Sequence, residues 1–510
     1  MSAVSTARLI RKNTKGTTHT KWSFSVLLVL VAALLDPGDA GAQVHPDRAT
    51  LRRDIEAVMN APLLSRSHWS ILLKSLDKGD VIFESNPRSL VMPASNMKVF
   101  TIAAAAAKLG WDYRYETRLE SAAPVVNGIL MGDLVVRGSG DPTIGTRDGL
   151  DAKAFDDWVS QLRKAGISSI DGRIVGNDDL FDDTEIGNGW SWDDLAYGYA
   201  APVGALTYNE SLVTITARPG VTVGSPAIVE VTPAQHGLTI TSHVTTSEVN
   251  QPESLDVSRT RGSLLLDVTG TVPLASQRAA VLSAAVENPT LFFARSLRTA
   301  LMARGIPVSG EAVDADLLSP ADPARALLPL RPLATHRSQP LTDIARTFLK
   351  VSQNLYGELL VKTVGASAGQ GTTARGQQAI RDTLDAWGVP RDSYILADGS
   401  GLSRLNFVSA EAEVTILEHM YKDPQQRAPL LDALPVGGQD GTLRNRLKAA
   451  WTAGQVHAKT GSIANTRALS GFITTRSGET LVFSIVANNF SLPGWRIERV
   501  IDLIVEIVAR

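Results

Sequence analysis

The chain has 510 residues, 44% of them apolar and 20% charged, with 50 Lys+Arg against 52 Asp+Glu and no cysteine. This composition excludes a disordered, collagen-like or polytopic membrane protein, and the near-neutral charge excludes a nucleic-acid binder that works through bulk positive charge. Without cysteine there is no disulfide framework, thiolate metal site, thiol nucleophile or lipid-modified cysteine.

The length suggests about two to four domains. Arg8, Arg11, Lys12, Lys15 and Lys21 precede an apolar run of about 14 residues beginning at Trp22. Asp36-Pro37-Gly38 and then Ala40-Gly41-Ala42 follow it. This order predicts a secretory signal peptide cut after Ala42, and the run is short for a membrane span. Export to the periplasm or the medium is the expected location. Removal of residues 1–42 would leave 45 basic and 50 acidic residues.

Next, the spacing of Leu51, Ile55 and Val58 predicts a helix within 43–62. Residues 70–76 and 81–83, around Asp77-Lys78-Gly79-Asp80, predict a β-hairpin. Pro93 opens a predicted helix over 95–109, rich in alanine and closed by Gly110. From about 115 to 321 the texture changes to short alternating strands, for example 134–136, 212–217, 227–231, 238–242 and 264–268. Helical patches interrupt them at 154–165 and 288–304. Helices return at 341–364, 376–387 and 410–421. Strands over 468–474 and 481–487 and a helix over 495–509 end the chain. That last helix carries Ile497, Val500, Ile501, Ile504 and Val508 on one face. Its other face mixes Arg, Glu and Asp, which favours packing on the sheet over peripheral contact with a membrane surface. The layout is α+β, with a β-rich insertion splitting one domain.

Three short patterns carry chemistry. Ser95-Asn96-Met97-Lys98 stands at a predicted helix start, where i and i+3 share a face and Lys98 can reach the Ser95 hydroxyl. A serine needs an adjacent base, and a lysine serves as one only if its pKa falls. A second copy, Ser75-Leu76-Asp77-Lys78, falls in the predicted turn and reads as structural. Ser352-Gln353-Asn354 lies in a predicted helix or its connecting loop and offers a second hydroxyl and a carboxamide. Lys459-Thr460-Gly461-Ser462 reads as an edge strand, where the glycine admits a close substrate backbone and the strand edge accepts an extended peptide. Taken singly, each also fits an ordinary polar helix face or strand end. Their joint occurrence in this order is the set shared by β-lactamases and penicillin-binding proteins.

With these motifs the mature chain resembles, over nearly its whole length, the low-molecular-mass class C penicillin-binding proteins, the D-alanyl-D-alanine carboxypeptidase/endopeptidases. The 257-residue separation of Ser95 and Ser352 fits the long insertion of that family. So do Gly138-Ser139-Gly140-Asp141-Pro142, Trp190-Ser191-Trp192-Asp193-Asp194, His336-Arg337-Ser338-Gln339-Pro340-Leu341, the loop 398–404, and Leu434-Pro435-Val436-Gly437-Gly438.

The resemblance implies a transpeptidase-like fold, with a five-stranded antiparallel sheet between helices. It divides the chain into signal peptide 1–42, catalytic segments 43–115 and 331–510, and an inserted region 116–330. It also implies catalysis by Ser95, Lys98, Ser352, Asn354 and Lys459, with backbone N–H groups of Ser95 and Ser462 as the oxyanion hole. Thr460, Gly461, Ser462 and Asp194 would bind a peptidoglycan peptide ending in D-Ala-D-Ala, Asp193 being the alternative to Asp194. β-Lactams would be covalent inhibitors; no metal, organic cofactor or nucleic acid is implied. His336 reads as a structural histidine, and 398–404 as a turn supporting the wall of the site. Two readings compete: a serine β-lactamase or esterase, which needs a deacylating base that the sequence does not locate, and a non-catalytic penicillin-sensing peptidoglycan-binding protein, whose mark would be a lost catalytic side chain.

Overall fold

Strands His68–Ser75 and Thr480–Asn488 are buried at almost every position, on both alternating faces. A strand covered on both sides reads as a continuous apolar run, not as an alternation. These two strands form the centre of an antiparallel five-stranded sheet. Its order is Val456–Ile463, Thr466–Thr474, Thr480–Asn488, His68–Ser75 and Val81–Ser85. The register pairs Trp69 with Ala487 and Leu469 with Ile485. Val456–Ile463 is the edge strand, as expected.

The computed structural model describes residues 47–510 except 261, 323–329 and 368. The expected signal peptide lies outside the described residues. The chain divides after Ser65 into two units. The described part of the first holds the helix Arg48–Met59 and a 3₁₀ turn, Pro62–Leu64. The second unit runs from Arg66 to Arg510.

The helix Met97–Leu109 is buried over its first ten residues. Ala103, Ala104, Ala105 and Ala106 present almost no side-chain bulk, so helices Leu341–Lys350, Asn354–Ala366, Thr373–Ala386 and Ala410–Lys422 all pack against it. Ala410–Lys422 and Gly494–Val508 pack on the five-stranded sheet. The terminal helix buries Ile497, Val500, Ile501, Ile504 and Val508, which answers the purpose of its apolar face.

The region between these helical segments builds its own core around Trp158, Phe292, Phe293 and Leu297. A second, mixed five-stranded sheet has the order Ala312–Asp314, Ile174–Asn177, Leu134–Arg137, Glu116–Ser121 and Arg331–Arg337. Strand Arg331–Arg337 thus pairs with Glu116–Ser121, although the sequence division groups it with the second catalytic segment. Three three-stranded sheets complete this region: one on Leu212–Arg218, one on Leu265–Pro273, and a small one of Val125–Val126, Ile129–Leu130 and Ser169–Ile170.

One predicted element is corrected. The helix expected over 341–364 is two helices, Leu341–Lys350 and Asn354–Ala366. The chain breaks at Ser352, whose φ of 62° is left-handed. The Gln353 side chain then caps the second helix by accepting from the Leu355 N–H. A propensity pattern cannot show such a break, because no glycine or proline marks it.

Candidate active site

Ser95 sits in a single 3₁₀ turn, Ala94–Asn96, that runs directly into the helix Met97–Leu109. Ala94 is held at φ 48°, a conformation that costs a non-glycine residue energy and persists only under strong tertiary constraint. The constraint is visible at Gly401, where an added Cβ would lie 1.8 Å from the Ala94 carbonyl oxygen. The Ser95 turn is pressed between the loop 398–404 on one side and the edge strand on the other.

One helical turn beyond Ser95, Lys98 is fully buried. Its Nζ donates to three oxygens: Ser95 Oγ at 2.9 Å, Asn354 Oδ1 at 2.7 Å and the Ser400 carbonyl at 2.6 Å. Burial pushes this amine down to about 7, against the opposing pull of the Asp398 and Glu358 charges. A lysine in this state can take a proton from a hydroxyl in contact with it.

The break before Asn354 places Ser352 and Asn354 on the same cleft. Asn354 joins Lys98 through its carbonyl oxygen and donates through Nδ2 to the Tyr199 carbonyl at 2.8 Å. Ser352 Oγ accepts from Lys459 Nζ at 2.9 Å, and Lys459 also donates to its neighbour's carbonyl, Thr460 O, at 2.7 Å. Lys459 is fully buried, and burial first, then the Lys98 charge, holds its amine well below the ordinary lysine range. The resemblance also has Lys459 help to hold a substrate's terminal carboxylate, but the buried amine, engaged by Ser352 and the Thr460 carbonyl, is not among the residues that line the cleft. The amine stands behind Ser352.

Gly461 also needs correction. A Cβ there would lie 2.5 Å from the Pro93 carbonyl oxygen and 3.1 Å from Asn96 Oδ1. The missing side chain lets the edge strand close on the nucleophile turn. Thr460, Ser462 and Ala464 face a cleft of about 550 Å³, together with Ser95, Ser352 and Asn354.

Asp194 lines the same cleft. It accepts from Tyr199 Oη at 2.8 Å and pairs with Arg404 at 3.3 Å. Asp193 is exposed, and the Ser191 side chain holds its carboxyl below the usual range. Among the described residues lining the cleft, Asp194 is the one carboxylate.

The other candidates lie apart. Ser75 donates to Glu479 Oε1 at 2.6 Å, and Lys78, whose side chain is 64% exposed, pairs with the same carboxylate. That copy of the motif fastens a turn. His336 stands 3.8 Å from Asp141 and edge-on to the Trp158 ring.

The loop 398–404 does more than support a wall. Gly401, Leu402 and Arg404 line the cleft, and the Ser400 carbonyl binds Lys98. Trp190 ties the loop to the inserted region through a 2.9 Å bond to Asp398. Sequence reasoning placed the loop 398–404 at the wall of the site but gave no role to Arg404 or to the Ser400 carbonyl, which leaves no side-chain signal. Tyr199, which looks like an ordinary surface residue until the fold assembles the cleft, was missed.

A family model described as the D-Ala-D-Ala carboxypeptidase 3 (S13) family matches residues 51–508. The chain is 31% identical to a D-alanyl-D-alanine carboxypeptidase of Actinomadura sp. (strain R39), over 91% of this chain and 86% of that protein. It is 30% identical to the D-alanyl-D-alanine carboxypeptidase DacB of Haemophilus influenzae, over 83% of this chain and 86% of that one. Among solved structures, penicillin binding protein 4 of Haemophilus influenzae is similar with a TM-score of 0.74 and 28% identity, over 86% of this chain and 94% of that one. A second structure of that protein, complexed with a β-lactam, gives a TM-score of 0.70 at 26% identity, over 89% and 98% of the two chains.

Proposed function

The chain belongs to the D-Ala-D-Ala carboxypeptidase 3 (S13) family, and from that premise we propose how its residues carry out the serine DD-peptidase reaction. The observation that carries the proposal is the buried Lys98 amine, held between Ser95 Oγ, Asn354 Oδ1 and the Ser400 carbonyl. Neutral Lys98 takes the Ser95 proton as Oγ attacks the carbonyl carbon between the two D-alanines. Backbone N–H groups of Ser95 and Ser462 receive the oxyanion. The C–N bond breaks, and the proton that Lys98 took passes through Ser352, behind which Lys459 stands, to the departing amine. Asn354 orients Lys98 and meets the substrate amide. Water then attacks the ester carbon and gives a proton to the neutral Lys98 amine, the Ser95 C–O bond breaks, and Lys98 passes that proton to Oγ.

Thr460 and Ser462, on the cleft side of the edge strand, receive the terminal carboxylate. Asp194, already paired with Arg404 and Tyr199, meets a cationic side chain on the stem peptide. We also place the enzyme outside the cytoplasmic membrane, where peptidoglycan lies, in keeping with the leader expected at residues 1–42. The solved complex of a relative with a β-lactam supports acylation of Ser95 by that class of inhibitor.

The test is labelling of the purified enzyme with benzylpenicillin, together with mass spectrometry of muropeptides. Ser95→Ala is expected to abolish both the label and D-alanine release, whereas Ser75→Ala keeps both. Rapid antibiotic turnover in place of a persistent ester would turn the reading toward a β-lactamase. The same muropeptide digest separates removal of a terminal D-alanine from cleavage of cross-links.

A further inference from the structure

A neutral lysine amine has two N–H bonds and one lone pair. Two of the three neighbours of Lys98 Nζ, Asn354 Oδ1 and the Ser400 carbonyl, can only accept hydrogen bonds. When both are engaged, the lone pair has one direction left, toward the Ser95 hydroxyl. The aim of the base thus depends on what fixes those two acceptors. Asn354 opens a helix whose next inward turn carries Glu358, four residues on and buried.

Glu358 grips the backbone that carries the second acceptor. Its Oε1 accepts from the Ser400 N–H at 2.8 Å, and both its oxygens accept from the Gly399 N–H, at 3.2 and 3.0 Å. Thr101, on the Lys98 helix, donates to the Gly399 carbonyl at 2.7 Å from the other side. Gly357 and Gly399 make the approach feasible, since a Cβ on Gly357 would lie 2.8 Å from the Gly399 carbonyl oxygen. One helix face therefore supplies one acceptor directly and holds the residue that carries the other by that residue's own N–H; the next amide, Gly401 N–H, donates to Asp398 Oδ1 at 2.8 Å.

We propose that Glu358 is a positioning residue of this enzyme: by holding the amides of Gly399 and Ser400 it fixes the Ser400 carbonyl on Lys98 and so aims the lysine lone pair at Ser95. The proposal rests on the reading of Lys98 as the base. Burial and the Asp398 charge push the Glu358 carboxyl itself up to about 8, so near neutral pH its hold on Lys98 runs through the Ser400 carbonyl; that contact favours the protonated amine, and its loss lowers the pKa of Lys98. A residue that only stabilised the fold would leave that pKa in place.

The experiment follows benzylpenicillin acylation against pH for the wild type, Ser95→Ala, Glu358→Gln and Glu358→Asp, with thermal melting to establish that each is folded. In folded Glu358→Gln the acylation rate is expected to fall about tenfold or more and the inflection of the pH profile to move to lower pH. A folded variant with the wild-type rate, or a slower one whose inflection does not move, overturns the proposal. If Glu358→Gln does not fold, Glu358→Asp, with one methylene less of reach, carries the test. Slower acylation with the same direction of shift supports the proposal, and a wild-type rate and profile overturn it. Failure of the wild type to acylate at Ser95 would instead overturn the reading on which the proposal rests.

Discussion

An ordinary lysine is almost fully protonated at neutral pH and has no lone pair to offer a serine hydroxyl. Lys98 escapes this because its amine is buried, which disfavours its charge and brings it down to about 7. The sign of the pH dependence follows. As the proposed base, Lys98 works when neutral, so acylation of Ser95 should level off above about pH 7 and fall about tenfold per unit below it. Stopped-flow acylation by benzylpenicillin between pH 5 and 9 checks this, and an inflection near the ordinary lysine value would refute it. At this scale the motif residues were legible because Ser95 and Lys98 sit three apart where a 3₁₀ turn runs into a helix. Glu358 and the Ser400 carbonyl were not. They meet Lys98 from positions 260 and 302 residues along the chain, which no local spacing encodes.

Between elements, glycine decides how closely the parts of the site approach. Gly401 has φ +85° and faces the Ala94 carbonyl with no room for a methyl group. Gly401→Ala must strain its own backbone and push the nucleophile turn aside. We expect a stability loss of about 2 kcal/mol or more, visible as a lower melting temperature, and slower acylation even where the protein is folded. The same logic explains why Gly461 was misread. A glycine beside a catalytic lysine suggests space for substrate, but the backbone that occupies that space is Pro93, 368 residues earlier. The split of the expected 341–364 helix is a similar case. Ser352 and Asn354 can line one cleft only because the helix stops and restarts between Lys350 and Asn354.

Across the whole molecule, the inserted region reaches the catalytic motifs at identifiable points. Asn209, Glu210 and Ser211 are three consecutive non-glycine residues at positive φ, at 51°, 58° and 55°. Such a run is costly and survives where the surroundings over-determine it. Here Arg147 grips Glu210 with two bonds, at 2.6 and 2.9 Å, and Gln353 donates to the same carboxylate. Gln353 is the middle residue of the Ser-x-Asn motif, so Glu210 links the insertion to the loop that presents Ser352. Removing this partly buried carboxylate in Glu210→Ala should cost about 1–3 kcal/mol and slow acylation, while Arg88→Ala, at a pair whose arginine is 83% exposed, should change neither. Thermal melts and acylation rates of the two variants make the comparison.

The sequence by itself determined the α+β class, most of the strands and helices, the order of the three motifs and the choice of Ser95 over Ser75. Periodicity, turn residues and i to i+3 spacing act over a few residues and remain readable without a fold. Only the tertiary structure decided that Lys459 stands behind Ser352, that Gly461 serves packing, that Tyr199 and Arg404 belong to the cleft, and that Glu358 and the loop 398–404 complete the surroundings of Lys98. Each of these depends on which distant backbone and side-chain groups share a buried space. Burial is also what brings the Lys98 amine down to about 7, and it belongs to the folded chain and to no segment of it.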